Sequence, residues 1–151
     1  GQWNCHQFHA HSEFYADYGT YDVNITTPKE FWVGATGVMQ EETQHKNGTK
    51  TLRWRAEDVV DFAWTASPRF QVADEQWKHV KIRVLMQPEH FAQADRHFHA
   101  AKAALAYFEK YLGRYPYSTL TIVDPPTHGL GSAGMEYPTF ITAGTFWGAP
   151  K

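Results

Sequence analysis

Cysteine is almost absent. Cys5 is the single thiol among 151 residues, which excludes an internal disulfide and leans toward a reducing compartment. No apolar run approaches the roughly 20 residues that a membrane-spanning helix needs. The opening Gly1-Gln2-Trp3-Asn4 lacks the basic and apolar regions of a signal peptide. These features fit a cytoplasmic chain as well as a secreted or periplasmic one with its signal removed. Charge of one sign is also lacking. Fourteen Lys and Arg face sixteen Asp and Glu, and no basic stripe gathers, so nucleic-acid binding has no electrostatic basis. There is no internal repeat and no low-complexity stretch. The sequons Asn24-Ile25-Thr26 and Asn47-Gly48-Thr49 read as chance matches.

Aromatic side chains are plentiful: six Trp, ten Phe and eight Tyr. Each buries much apolar surface, so a packed core is expected. Tyr21, Val23 and Ile25 alternate with polar residues, as on a half-buried strand that stops at Pro28. Phe31 to Thr36 reads as a second strand. Asn47-Gly48 signals a hairpin leading into a strand with Leu52 and Trp54 on one face. Val60, Phe62, Trp64 and Ala66 alternate, then Val80, Ile82, Val84 and Met86. Closely spaced strands of this kind predict an antiparallel sheet or sandwich. The period changes at Pro88. Phe91, Ala94, Phe98, Ala101, Leu105, Phe108 and Leu112 recur at steps of three and four, one face of a long helix closed by Gly113. A strand over Thr119 to Val123 ends at Asp124-Pro125-Pro126. A Gly-rich loop then leads into Met135 to Thr142, read as one further strand. The fold class is therefore α+β and β-rich, with a β unit over 1–87 and the beginning of a second unit over 88–151.

The segment richest in chemistry is Gly131-Ser132-Ala133-Gly134-Met135-Glu136-Tyr137-Pro138. It resembles the substrate-recognition motif G-x-M-E-N of the aminopeptidase N-like zinc peptidases, the gluzincin aminopeptidases. Gly134-Met135-Glu136 matches directly, Ala133 replaces the first Gly, and Tyr137 stands where the family usually has Asn. The preceding helix, the strand ending in Asp-Pro-Pro, and the stretch Ser12 to Val23 followed by Pro28-Lys29 resemble the same family in order. The resemblance implies a saddle-like N-terminal β domain running into the first helix and strands of a thermolysin-like catalytic domain. It implies that Glu136 holds the free amino end of a peptide, and that the strand carrying it pairs with the substrate backbone.

The physics supports such a role. A chain end differs from a chain middle by an ammonium with a pKa of about 7.7–8.0. A partly desolvated carboxylate selects it through a charge-assisted hydrogen bond. An internal amide leaves that carboxylate unpaired. Gly134, having no Cβ, admits a close backbone. Met135, Ala133 and Tyr137 would line the same place. Gln7-Phe8-His9-Ala10 falls where the family has a short Gln-x-Glu/Gln-Ala segment that helps hold the amine, so Gln7 and His9 join the expected substrate-binding set. A neutral His9 accepts from an ammonium and a protonated one repels it.

Other clusters have plainer readings. His6, His9 and His11 invite a metal, with Cys5 as a fourth donor, but their spacing fits neither a helical pair nor one face of a strand. His90, His97 and His99 read as polar residues beside the helix seam. Trp32, Trp54, Trp64 and Trp77 read as sheet core rather than a sugar-stacking face.

The zinc enzymes of this class carry H-E-x-x-H on a helix. No His-Glu pair occurs here. Family order places that helix after Lys151, so zinc is expected in the intact enzyme, with no metal ligand and no catalytic residue in this segment. The 151 residues alone are expected to be inactive. Their expected partners are peptides with a free N-terminus and the catalytic remainder beyond Lys151. Two other readings fit the same residues: a non-enzymatic β-sandwich binding module, and a family member without its zinc site.

Overall fold

The computed structural model describes Ala10, residues 16–132 and residues 134–145. The first half builds five strands: β1 (Gly19–Pro28), β2 (Trp32–Ala35), β3 (Val38–Gln44), β4 (Thr49–Val59) and β5 (Trp64–Ser67). β1, β4 and β3 form an antiparallel sheet in the order β1-β4-β3, and β2 pairs antiparallel with β5. The alternation of β1 and β4 turns Ile25, Leu52 and Trp54 inward, onto Val33 and Ala35 of β2. This is the sandwich-like packing that period-two patterning predicts.

The second half is a five-stranded sheet covered by one helix. β6 (Gln71–Trp77) and β7 (Val80–Met86) form a hairpin. The chain then enters a short 3-10 turn (Phe91–Gln93) and helix α1 (Ala94–Leu112). It returns as β8 (Thr119–Val123), parallel to β7. A 3-10 segment (Thr127–Ser132) leads to β9 (Glu136–Tyr137) and β10 (Phe140–Thr142). The sheet order is β6-β7-β8-β10-β9. Val80, Ile82, Val84 and Met86 form one face of β7, buried beneath Ala94, Phe98, Ala101 and Leu105 of α1. The seam predicted for the helix continues to Phe108 and Leu112, but these two stand exposed beyond the edge of that core.

The opposite face of the sheet carries Leu85, Val123 and Phe140 with Phe70. β2 presses its backbone onto this face at Gly34, where a Cβ would lie 2.3 Å from Leu85 Cδ1. The expected division at residue 88 falls between β7 and α1, and β7 is hydrogen-bonded along its length to β8 on the far side of that point. Hydrogen bonds also tie the first sheet to the second. The Gly37 N–H donates to the Thr139 hydroxyl (2.7 Å), and the Thr119 hydroxyl donates to the Gly37 carbonyl (2.9 Å).

Three local expectations are corrected. The strand read from Val60 begins only at Trp64. β6 was not read at all. Its sequence QVADEQW has no apolar alternation because it is an edge strand with intermediate and exposed side chains. Met135 to Thr142 is a hairpin rather than one strand, since Pro138 and Thr139 reverse the chain, with Thr139 at φ 58°. Among the described residues, no helix is long and apolar enough to cross a membrane.

Candidate functional site

The segment from Gly134 to Thr142 folds as the outer hairpin of the five-stranded sheet. β10 runs parallel to β8 and inside β9, so β9 is the edge strand. Pairing of Ile141 with Glu136 and Phe140 with Tyr137 sets the register. Two further bonds extend it: the Gly134 N–H donates to the Thr142 carbonyl, and the Thr142 N–H donates to the Met135 carbonyl, both at 2.9 Å. The Thr142 hydroxyl accepts from the Met135 N–H (3.0 Å) and donates to the Ser132 carbonyl. Gly134 sits at φ +82°, a conformation that L side chains resist. Among the described residues other than its chain neighbours, no atom lies within 4 Å of where its Cβ would be.

Gly134, Met135, Glu136 and Tyr137 are thus consecutive along one sheet edge. Glu136 is exposed, and Met135 and Tyr137 are half-buried. The other expected contributors, Ala133, Gln7 and His9, lie outside the described residues, as do His6, His11 and Cys5.

Beside β9 opens a cleft of about 690 Å³. One wall is the hairpin, through Met135, Tyr137 and Phe140; the facing wall is Phe62, Trp64 and Phe70, with Pro125 and Pro126 at its end. Tyr137 packs against Phe140 with ring centroids 6.3 Å apart. The sequence reading placed four Trp in the sheet core. Trp54 is there, 5% exposed, whereas Trp32 and Trp64 are about half exposed. Trp64 opens β5 and lines the cleft.

The Asp-Pro-Pro segment has a separate role. Asp124 follows β8 and is fully buried. Its carboxylate is hydrogen-bonded to His90 Nδ1 (2.6 Å) and accepts from the Thr145 N–H (3.0 Å) and the Gln87 N–H (3.4 Å). His97 Nε2 is hydrogen-bonded to the Thr145 hydroxyl (2.9 Å). Burial holds the His97 imidazole below its usual range, with the Asp124 charge opposing. This network pins the start of the helix to the end of β8 and to the chain leaving β10. His90 and His97, read as residues beside the seam, are part of it. Among the described residues, no three His, Cys, Asp or Glu side chains come together as a metal site.

The sequence matches no protein-family model and no curated protein. Among solved structures the fold is similar to Legionella pneumophila aminopeptidase A, determined in complex with aspartic acid. The TM-score is 0.68 at 17% sequence identity, over 82% of this chain. The chain spans 16% of that protein's length. At this identity the similarity is one of fold.

Proposed function

We propose that this chain is the amine-recognising part of a zinc-dependent aminopeptidase, and that Glu136 binds the ammonium of a peptide's first residue. The observation that carries this reading is an exposed carboxylate on a two-residue edge strand, preceded by an open glycine at φ +82°. An extended peptide adds to such an edge through backbone hydrogen bonds. Its free amino end then meets a fixed charge, whereas an internal segment offers only an amide. One neighbour of known structure is an aminopeptidase, which agrees with this reading.

The chain's own contribution is to position the peptide. A backbone held along β9 with its amine at Glu136 presents only its first peptide bond beyond that point, and such positioning is a large part of a hydrolase's rate advantage. On this reading, zinc held by an H-E-x-x-H helix of the intact enzyme would supply the hydrolytic chemistry.

The test compares a short peptide with its N-acetylated form by isothermal titration against the wild-type chain and Glu136→Gln. An ion pair made by an exposed carboxylate is worth up to about 1 kcal/mol. Acetylation and Glu136→Gln are therefore each expected to weaken binding up to about fivefold, without adding to one another. Glu136→Gln should leave the unfolding midpoint unchanged, because the side chain is exposed. Equal affinity for free and acetylated peptides would sink the reading. Amine-dependent binding in an intact protein without zinc ligands would make it an amine-binding module.

A further inference from the structure

The cleft and the carboxylate lie on opposite faces of one short strand. Met135 and Tyr137 line the cleft, and Glu136 between them does not. This is the ordinary alternation of a strand. A peptide laid along the outer edge of β9 alternates in the same way, and residues directly opposite each other across a ladder share a face. On the amine-recognition reading, with the first residue standing opposite Glu136, its side chain falls on the carboxylate's face. The second side chain then falls on the face of Met135 and Tyr137. We infer that the cleft is the subsite for the second side chain of the peptide and selects a large apolar or aromatic one.

The chemistry of the walls supports this occupant. Phe62, Trp64, Phe70 and Tyr137 line the space with Thr65, Ser132 and Thr142, and among the described residues no charged one lines it. Phe70 is buried, 6% exposed, and gives a fixed floor, while Trp64 is 55% exposed and forms the rim. An exposed Trp standing alone needs no explanation. Here it lines a concave gap together with Phe62, Phe70 and Tyr137, side chains suited to holding an aromatic ring. A charged second side chain would lose water and gain no partner. The volume accommodates one aromatic side chain with room to spare. Tyr137, the position at which the motif departs from the family's usual Asn, becomes one wall of the subsite.

The experiment is a titration of the 151-residue chain with Ala-Phe-Ala-Ala amide, Ala-Gly-Ala-Ala amide and Phe-Ala-Ala-Ala amide, each free and N-acetylated. Burying a Phe side chain predicts that the first binds about tenfold to a hundredfold more tightly than the second. Phe at the first position should give no such gain. Trp64→Ala should cut the ratio to below about threefold while leaving Ala-Gly-Ala-Ala amide unaffected. Trp64→Phe should restore most of it, which separates loss of the wall from loss of folding. A Phe preference at the first position, or one that survives Trp64→Ala unchanged, would overturn the assignment, as would failure of all peptides to bind. Sensitivity to acetylation without a second-position preference sinks the subsite and spares the role of Glu136. A second-position preference indifferent to acetylation does the reverse: it removes the amine reading and keeps the aromatic cleft.

Discussion

β6 and β9 close the same sheet at opposite edges, and their charges are used differently. β6 pairs with β7 over seven residues, from Gln71 against Met86 to Trp77 against Val80. Its acids are all engaged. Asp74 takes a two-pronged hydrogen bond from Arg83 (2.7 and 2.8 Å) and an ion pair from Lys81, and Glu75 pairs with Lys102 of α1. Paired charges on an edge discourage further strands from adding. β9 is two residues long, and among the described residues Glu136 has no ionic partner. A carboxylate that helps to close an edge is neutralised from within the molecule. One left available beside an open glycine is suited to a ligand. The contrast distinguishes Glu136 from Asp74 and Glu75 on physical grounds.

The largest expected effect removes the support common to both edges. Phe98 is 3% exposed between α1 and β7, and Phe98→Ala should cost about 3–5 kcal/mol in urea unfolding. A cost below about 1 kcal/mol would mean that the helix does not hold the sheet. Gly134→Ala acts only at β9. With no neighbour to clash, its cost is the backbone conformation alone, about 1–2 kcal/mol in a thermal melt. Peptide affinity should fall several-fold as β9 shifts. An unchanged affinity would separate the glycine from the presentation of Glu136.

Asp74→Asn acts only at β6 and should be the smallest change, at most about 1 kcal/mol at neutral pH, because the pair stands at the surface with its side chains 29% and 36% exposed. It should leave peptide affinity untouched. The hydrogen bond from Arg83 holds the Asp74 carboxyl below its usual range, against the opposing effect of burial. That stabilisation is present above the ordinary Asp value of about 3.9 and is lost as pH falls through the depressed one. Wild type and Asp74→Asn should therefore differ at pH 7 and converge in strong acid. A difference that grew on acidification would contradict the pairing.

The elements that showed clearly in the sequence are those with one dry face and one wet face. β1, β4 and α1 announce themselves through Ile25, Leu52 and Phe98, because each packs against a single layer, and β7 does so over Val80 to Val84, where Lys81 and Arg83 take the wetter face. β6 did not, since its side chains are only half covered and its turn into β7 uses Lys78 at φ 48° rather than a glycine. The Met135–Thr142 hairpin was hidden for a similar reason: Thr139 takes the positive φ at its turn. Of the site, Gly134 to Tyr137 was legible as a local motif. The cleft was not, because Phe62, Trp64 and Phe70 meet Tyr137 only through tertiary packing. Nothing in the local sequence separates an exposed Trp64 from a buried Trp54.

The hydrogen bond from Gly37 to Thr139 spans 102 positions of the chain, and Thr139 is the turn of the hairpin that carries Glu136. Contacts so distant in sequence form late, after the entropy of closing a long loop has been overcome. The helix and the β6-β7 hairpin are local and can form early. The edge formed by β9 must wait for the N-terminal sheet to arrive. During refolding, the ability to capture an amino end should therefore lag behind the helical signal, and the order of events in time should run from α1 outward to β9.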